Sequence, residues 1–264
     1  MKKYLAIATA ALLLLCSLAS CVQADPDAID DYTPDINYME TDEGVFYFAE
    51  AEGETAILTN FKSRDNKDDH VEIPAEFNGR VVTTIGDSAF YGKASVLSVK
   101  IPDSVTVIGK AAFARCNNLT AIELPAGVVS IGDEAFAHCE KLTDVKLGSA
   151  LISIGDFAFW NCFEMKSVAL PATLETIGQG AFWNCKGMTE LTFPAALKEI
   201  KTLAFYNCQG LPEGVADTVA EGVVLGEYVF VIDETDTEAE TEPTDDPATE
   251  PATEPTTDPA GDAA

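Results

Sequence analysis

Seven cysteines, two histidines and one column of aromatic residues are the side chains here whose chemistry could exceed that of an ordinary core or surface. Five of the cysteines, Cys116, Cys139, Cys162, Cys185 and Cys208, recur every 23 residues. Cysteines so spaced could bridge, bind zinc or act as small hydrophobes. In a stack of repeats, one column sets its thiols about 4.8 Å apart with Cβ vectors parallel rather than facing, which is wrong for a bridge. Zinc lacks its usual partners, because no CxxC pair and no histidine at ligand spacing accompany them. The column therefore reads as a ladder of reduced, buried thiols. No metal site is expected.

The histidines are His70 and His138. His138 shares a repeat column with Arg115, Asn161, Asn184 and Asn207, so it reads as a turn residue, solvated or bonded to backbone. No Ser-His-Asp or Cys-His set and no phosphate-cradling glycine loop can be assembled. Neither an enzyme nor a cofactor is expected. The aromatic column runs Tyr91, Ala114, Ala137, Trp160, Trp183, Tyr206. Facing outward, these rings would form a stripe able to stack on sugars or anchor a protein. Folded down, they would only shield the corner of each coil. Both readings stay open on the sequence.

What positions these columns is a repeat. Ile85-Gly86-Asp87-Ser88-Ala89-Phe90 returns at 108–113, 131–136, 154–159, 177–182 and, with Lys201 for the glycine, at 200–205. Units this short cannot each bury an apolar face, so they must stack and share one core. After each Phe come apolar residues such as Val96, Val99 and Ile101, or Leu119, Ile122 and Leu124. This L-x-x-L-x-L spacing predicts a strand ended by Pro102, Pro125, Pro171 or Pro194. Val105, Val128, Leu151, Leu174 and Leu197 then open a second extended segment. The glycine is expected to permit a sharp corner, and Asp87, Asp133 and Asp156 to cap a short helical turn that follows it. The Phe should fill the centre of the coil.

The phrase I-G-x-x-A-F-x-x-C-x-x-L-x-x-[VI]-x-[IL]-P-x-x-[VL] resembles the BspA-like leucine-rich repeat, the Treponema pallidum type of surface repeat. The lead-in from Ile73-Pro74 to Asn78-Gly79-Arg80 resembles that family's first coil. The resemblance covers residues 71–212. It implies a β-rich leucine-rich-repeat solenoid, here of about six 23-residue coils, and a bacterial surface protein. Members include adhesins, and no catalytic residues come with the motif.

The flanks complete the organisation. Residues 1–20 read as a signal peptide: basic Lys2 and Lys3, a short apolar run, then Leu18-Ala19-Ser20-Cys21, which resembles a lipobox. Cys21 would then carry the lipid that tethers the exported protein to a membrane. Residues 21–44 read as an acidic spacer, 45–70 as an N-terminal cap built on a hairpin with a polar loop over 61–70, and 213–232 as a C-terminal cap of two strands. Residues 233–264, with twelve acids and no base, read as a Thr/Pro-rich disordered tail open to glycosylation. The formal charge is −28, most of it in these flanks. Nothing neutralises phosphates, which sets nucleic acid aside as a partner. The expectation is a lipid-anchored binding or adhesion protein for a host or neighbouring-cell protein or glycan, located at the cell surface or the outer face of the membrane. A scaffolding envelope lipoprotein without a soluble ligand is the alternative.

Overall fold

The computed structural model describes residues 37–64 and 69–231. The segments read as signal peptide and tail, Cys21 and most of the stretch read as spacer lie outside these residues. The successive copies stack into a solenoid held by three lateral ladders.

Chain entry is by β1 (Tyr38–Glu40), β2 (Gly44–Glu50) and β3 (Thr55–Ser63). β2 and β3 form the expected antiparallel hairpin, and β1 pairs with the outer side of β2. The first described strand thus begins at Tyr38, inside the segment read as spacer. The stretch read as polar loop is also partly strand, since β3 reaches Ser63 and β4 (Asp69–Glu72) follows. Buried rings explain the extension: Phe61 packs on Phe90 and Phe48 on Phe77, with Phe46 against both hairpin rings, so the strands are tied to the core.

β3 then pairs in parallel with β6 (Arg80–Ile85), to which the short β5 (Glu76–Phe77) folds back. The first sheet continues through one short strand per coil: β8 (Val107–Ile108), β10 (Ser130–Ile131), β12 (Ser153–Ile154), β14 (Thr176–Ile177), β15 (Glu199–Ile200) and β16 (Val224–Leu225). The second sheet joins β4 to β7 (Val96–Lys100), β9 (Ala121–Glu123), β11 (Asp144–Lys146) and β13 (Ser167–Val168). All its pairings are parallel. The registers advance by one repeat, for example Val99 opposite Ile122 and Ile131 opposite Ile154.

The third ladder is the I-G-x-x-A-F segment. The amides of Phe113, Phe136 and Phe159 each donate to the Ala carbonyl of the next coil at 2.7 Å. This geometry places the second x in the left-handed region, with φ of 57° at Ser88, 56° at Glu134 and 56° at Phe157. No helix forms there. Asp87 and Asp133 accordingly cap nothing in their own coil: their Oδ1 atoms accept the amides of Lys110 and Asp156 one coil on, at 2.8 and 2.9 Å. The glycine also has a different cause from the expected corner. Its φ is ordinary, but a Cβ on Gly132 would lie 2.7 Å from the backbone carbon of Gly109. Close approach of coils requires glycine here. Lys201 holds this place in the sixth coil, and nothing in the contacts explains how its Cβ is accommodated.

Through the centre runs one file of rings. Phe90, Phe113, Phe136, Phe159, Phe182 and Phe205 stack with centroids 4.9–5.2 Å apart and planes within 3–11°. They belong to a single core cluster that extends from Phe46 to Val229. Beyond the repeat the file does not stop. Phe205 stacks on Phe230 at 5.5 Å and 5°. The segment Leu225-Gly226-Glu227-Tyr228-Val229-Phe230 is therefore a seventh copy of the same turn, and the second strand expected over 228–232 is not formed among its described residues. The interval from Phe205 to Phe230 is 25 rather than 23 residues, and Pro212–Gly222, with a 3-10 turn at Val215–Thr218, stands where an earlier coil carries its second-sheet strand, as at Ser167–Val168.

Candidate functional site

The columns that could carry chemistry sit on the corner formed by the I-G-x-x-A-F turn. Five thiols lie just inside it, all free and buried. Each donates to the Phe carbonyl of the preceding coil, as Cys139 Sγ does to Phe113 at 3.2 Å. Burial pushes the Cys116 thiol up to about 12, and holds those of Cys139, Cys162 and Cys185 well above the usual thiol range. Such thiols stay protonated and are poor nucleophiles at neutral pH.

Above them is an amide ladder. Asn161, Asn184 and Asn207 all take left-handed φ, between 57° and 61°. Asn184 Nδ2 donates to Asn161 Oδ1 at 2.8 Å, and Asn207 Nδ2 donates to Asn184 Oδ1 at 2.7 Å. Asparagine suits the place twice over, tolerating the backbone and satisfying its neighbour's side chain. Asn161 Nδ2 is 3.5 Å from His138 Nδ1, so the histidine continues the ladder.

The aromatic column forms the outer rim. Trp160 and Trp183 have centroids 6.4 Å apart at 43°, and Trp183 meets Tyr206 edge-on at 5.5 Å and 73°. All three are half-buried. His138 packs its edge on Trp160 at 4.5 Å. Tyr91 stands apart from this group: it and Trp160 close over buried Ala111, Ala114 and Ala137. The structure adds a residue that no column marks. Phe157 occupies the variable left-handed position and contacts Trp160 at 6.0 Å and Trp183 at 6.2 Å. It has room because the next coil carries Gly180, where a Cβ would fall 2.5 Å from the Phe157 ring. A phenylalanine among Ser88, Ala111, Glu134, Gly180 and Leu203 was the available sign. The rim is thus a contiguous apolar ridge of Phe157, Trp160, Trp183 and Tyr206, with His138 at one end.

The outer face of the second sheet is different in kind. Glu72 pairs with Lys100 and Glu123 with Lys146 across neighbouring strands, leaving no patch of one sign. A shallow cleft of about 650 Å³ beside β4 and β5 includes that first ion pair with Pro74, Glu76, Val81 and Asp103. Among the described residues no group of three or more His, Cys, Asp or Glu could hold a metal ion. None of their helices is long and apolar enough to cross a membrane.

Parallel coils, a file of phenylalanines and a consensus built on I-G-x-x-A-F define a leucine-rich-repeat solenoid. The chain belongs to the BspA-type leucine-rich-repeat family, whose model matches six copies over residues 83–212. It is similar to the crystal structure of a T. pallidum leucine-rich-repeat protein, with 30% identity over 70% of this chain and 85% of that one and a TM-score of 0.65. A leucine-rich cell surface protein from Faecalibacterium prausnitzii is 26% identical over 73% of this chain, with a TM-score of 0.61. This chain covers 51% of that protein's length. A Bacteroides ovatus leucine-rich-repeat protein is 26% identical over 72% of this chain and 56% of its own, with a TM-score of 0.52. No curated protein matches the chain.

Proposed function

We propose that this protein is a lipid-anchored binding or adhesion protein of the cell surface, and that it grips a ligand on the ridge of Phe157, Trp160, Trp183 and Tyr206. The ridge is the observation that carries the reading. Four large rings on neighbouring coils keep part of their surface in water, where the corresponding corner of other coils holds Ala114 and Ala137. Partly exposed tryptophan and tyrosine are the residues that most often dominate binding energy. The rings tilt by 43° and 73° against one another, so they offer a ribbed surface rather than a flat platform. That shape suits side chains of a protein ligand better than the face of a pyranose. Surface location is supported by the family and by the description of the Faecalibacterium relative. The lipobox-like Leu18-Ala19-Ser20-Cys21 supports the anchor, with Cys21 as the modified residue.

The test is a binding screen of the body of the protein against extracellular proteins and a glycan array, repeated with Trp160→Ala plus Trp183→Ala. Saturable protein binding that weakens about thirtyfold or more in the variant, with circular dichroism unchanged, is expected. Binding confined to glycans would replace the protein ligand by a sugar. A folded protein that enriches nothing would leave the scaffolding alternative. For the anchor, cells fed a labelled fatty acid should mark the wild type and not Cys21→Ser.

A further inference from the structure

The two ends of the solenoid are built differently. At the N-terminal end the hairpin and β1 cover the first coil, and Phe46 and Phe61 are fully buried beneath them. At the other end, among the described residues, nothing covers the seventh coil. Val224 and Tyr228 are each 62% exposed and Leu225 is 48% exposed. In the coils before it, the residue at the Leu225 position is fully buried, as Ile177 and Ile200 are.

The backbone is open there as well. In the sixth coil the carbonyls of Lys198 and Ile200 accept the amides of Val224 and Gly226. The register Glu199↔Val224 and Ile200↔Leu225 makes Val223 and Leu225 their equivalents in the seventh coil, and those carbonyls have no described coil to serve. Similarly, Leu203 and Phe205 donate their amides to the carbonyls of Glu227 and Val229. The equivalent amides in the seventh coil are those of Tyr228 and Phe230. The end therefore presents acceptors along β16 followed by donors beyond Gly226, beside exposed apolar side chains. Edge strands are commonly blunted by lysine, proline or a bulge. Residues 222–231 contain no lysine and no proline.

We propose that this end is a docking edge, and that its occupant is an extended, basic segment of another polypeptide that adds a strand beside β16. The strand chemistry follows from backbone groups that no described residue serves. The basic character follows from charge: residues 212–231 hold Glu213, Asp217, Glu221 and Glu227, all exposed, and no base. Twelve further acids follow directly in 233–264. That accumulation of like charge opposes a second copy of this chain at the same edge and attracts lysine or arginine flanking an apolar strand.

The experiment uses the full chain and a labelled peptide of alternating valine and threonine flanked by lysines, followed by fluorescence anisotropy. Saturable binding is expected. It should weaken about tenfold or more when alternate peptide amides are N-methylated, and comparably in Leu225→Lys, whose side chain lies at the surface and spares the core. It should also weaken as salt rises, and less steeply in Glu221→Lys plus Glu227→Lys. Absence of binding overturns the proposal. So does equal binding of a glutamate-flanked peptide, or indifference to N-methylation. Self-association of the chain that Leu225→Lys abolishes would also overturn it, since a second copy would then be the occupant. Failure here leaves the ridge intact, because Trp160 and Trp183 are not part of this edge.

Discussion

Phe136 is the most informative single residue for the stacking argument. Its ring is fully buried and lies between Phe113 and Phe159, at 5.2 Å from each and with planes within 5°. Replacing it by alanine removes the transfer free energy of a buried phenylalanine ring, about 2–3 kcal/mol. It also leaves a cavity whose walls are themselves held by neighbouring coils, so little collapse is possible. The cavity and two lost stacking contacts bring the expected loss to about 3–5 kcal/mol. Phe230→Ala provides the internal comparison. That ring is only partly buried, stacks on Phe205, meets Phe193 edge-on at 5.9 Å and has no described coil beyond it, so its loss should be about 1–2 kcal/mol. Guanidinium unfolding followed by tryptophan fluorescence and circular dichroism would measure both. Hydrogen exchange would show whether the coils on either side of Phe136 become protected as separate blocks, as a nearest-neighbour stack allows. A loss below about 1.5 kcal/mol at Phe136, or equal losses at both positions, would refute the claim that one continuous file of rings holds the coils together.

Two further expectations concern the ladders beside that file. Burial raises the Cys116 thiol from an ordinary 9.0 to about 12, so the folded protein holds this proton more tightly than the unfolded chain. The associated stability is complete below pH 9, and is lost progressively as pH rises toward about 12. Unfolding midpoints measured across that range should fall less steeply in Cys116→Ala, and the native thiols should resist alkylation at neutral pH. For the amide ladder, Asn184→Ala removes two side-chain hydrogen bonds and puts a Cβ without compensation at φ 61°, costing about 2–4 kcal/mol. Asn184→Gly keeps the backbone relaxed and should cost about 1–2 kcal/mol in the same unfolding assay. The order alanine worse than glycine is the check; the reverse order would mean that the left-handed backbone imposes no penalty there.

How far the sequence carries depends on what each feature is made of. Inward and outward positions were legible because a constant 23-residue period lines up Phe113 with Phe136 and Cys139 with Cys162, and only stacking can bury both sets. The hairpin was legible from its two apolar runs and turn, although its strands reach further than local composition suggested. The seventh coil was not, because Leu225 and Val229 stand where the pattern has Ile and Ala and the spacing is 25. Only the stacking of Phe230 on Phe205 marks it as a coil. The purpose of Gly132 and Asp133 was likewise misjudged from the sequence. Both act on atoms of a neighbouring coil, which residues adjacent along the chain cannot reveal.

The sequence by itself determined the solenoid, its core file and the identity of its buried thiols, since these follow from period and hydrophobicity alone. Tertiary structure decided which rings of the rim touch, where Phe157 fits and which end the described residues leave uncovered. Those outcomes turn on a few ångströms of clearance between coils, such as the space left by Gly180, and a repeat pattern carries no record of such clearances.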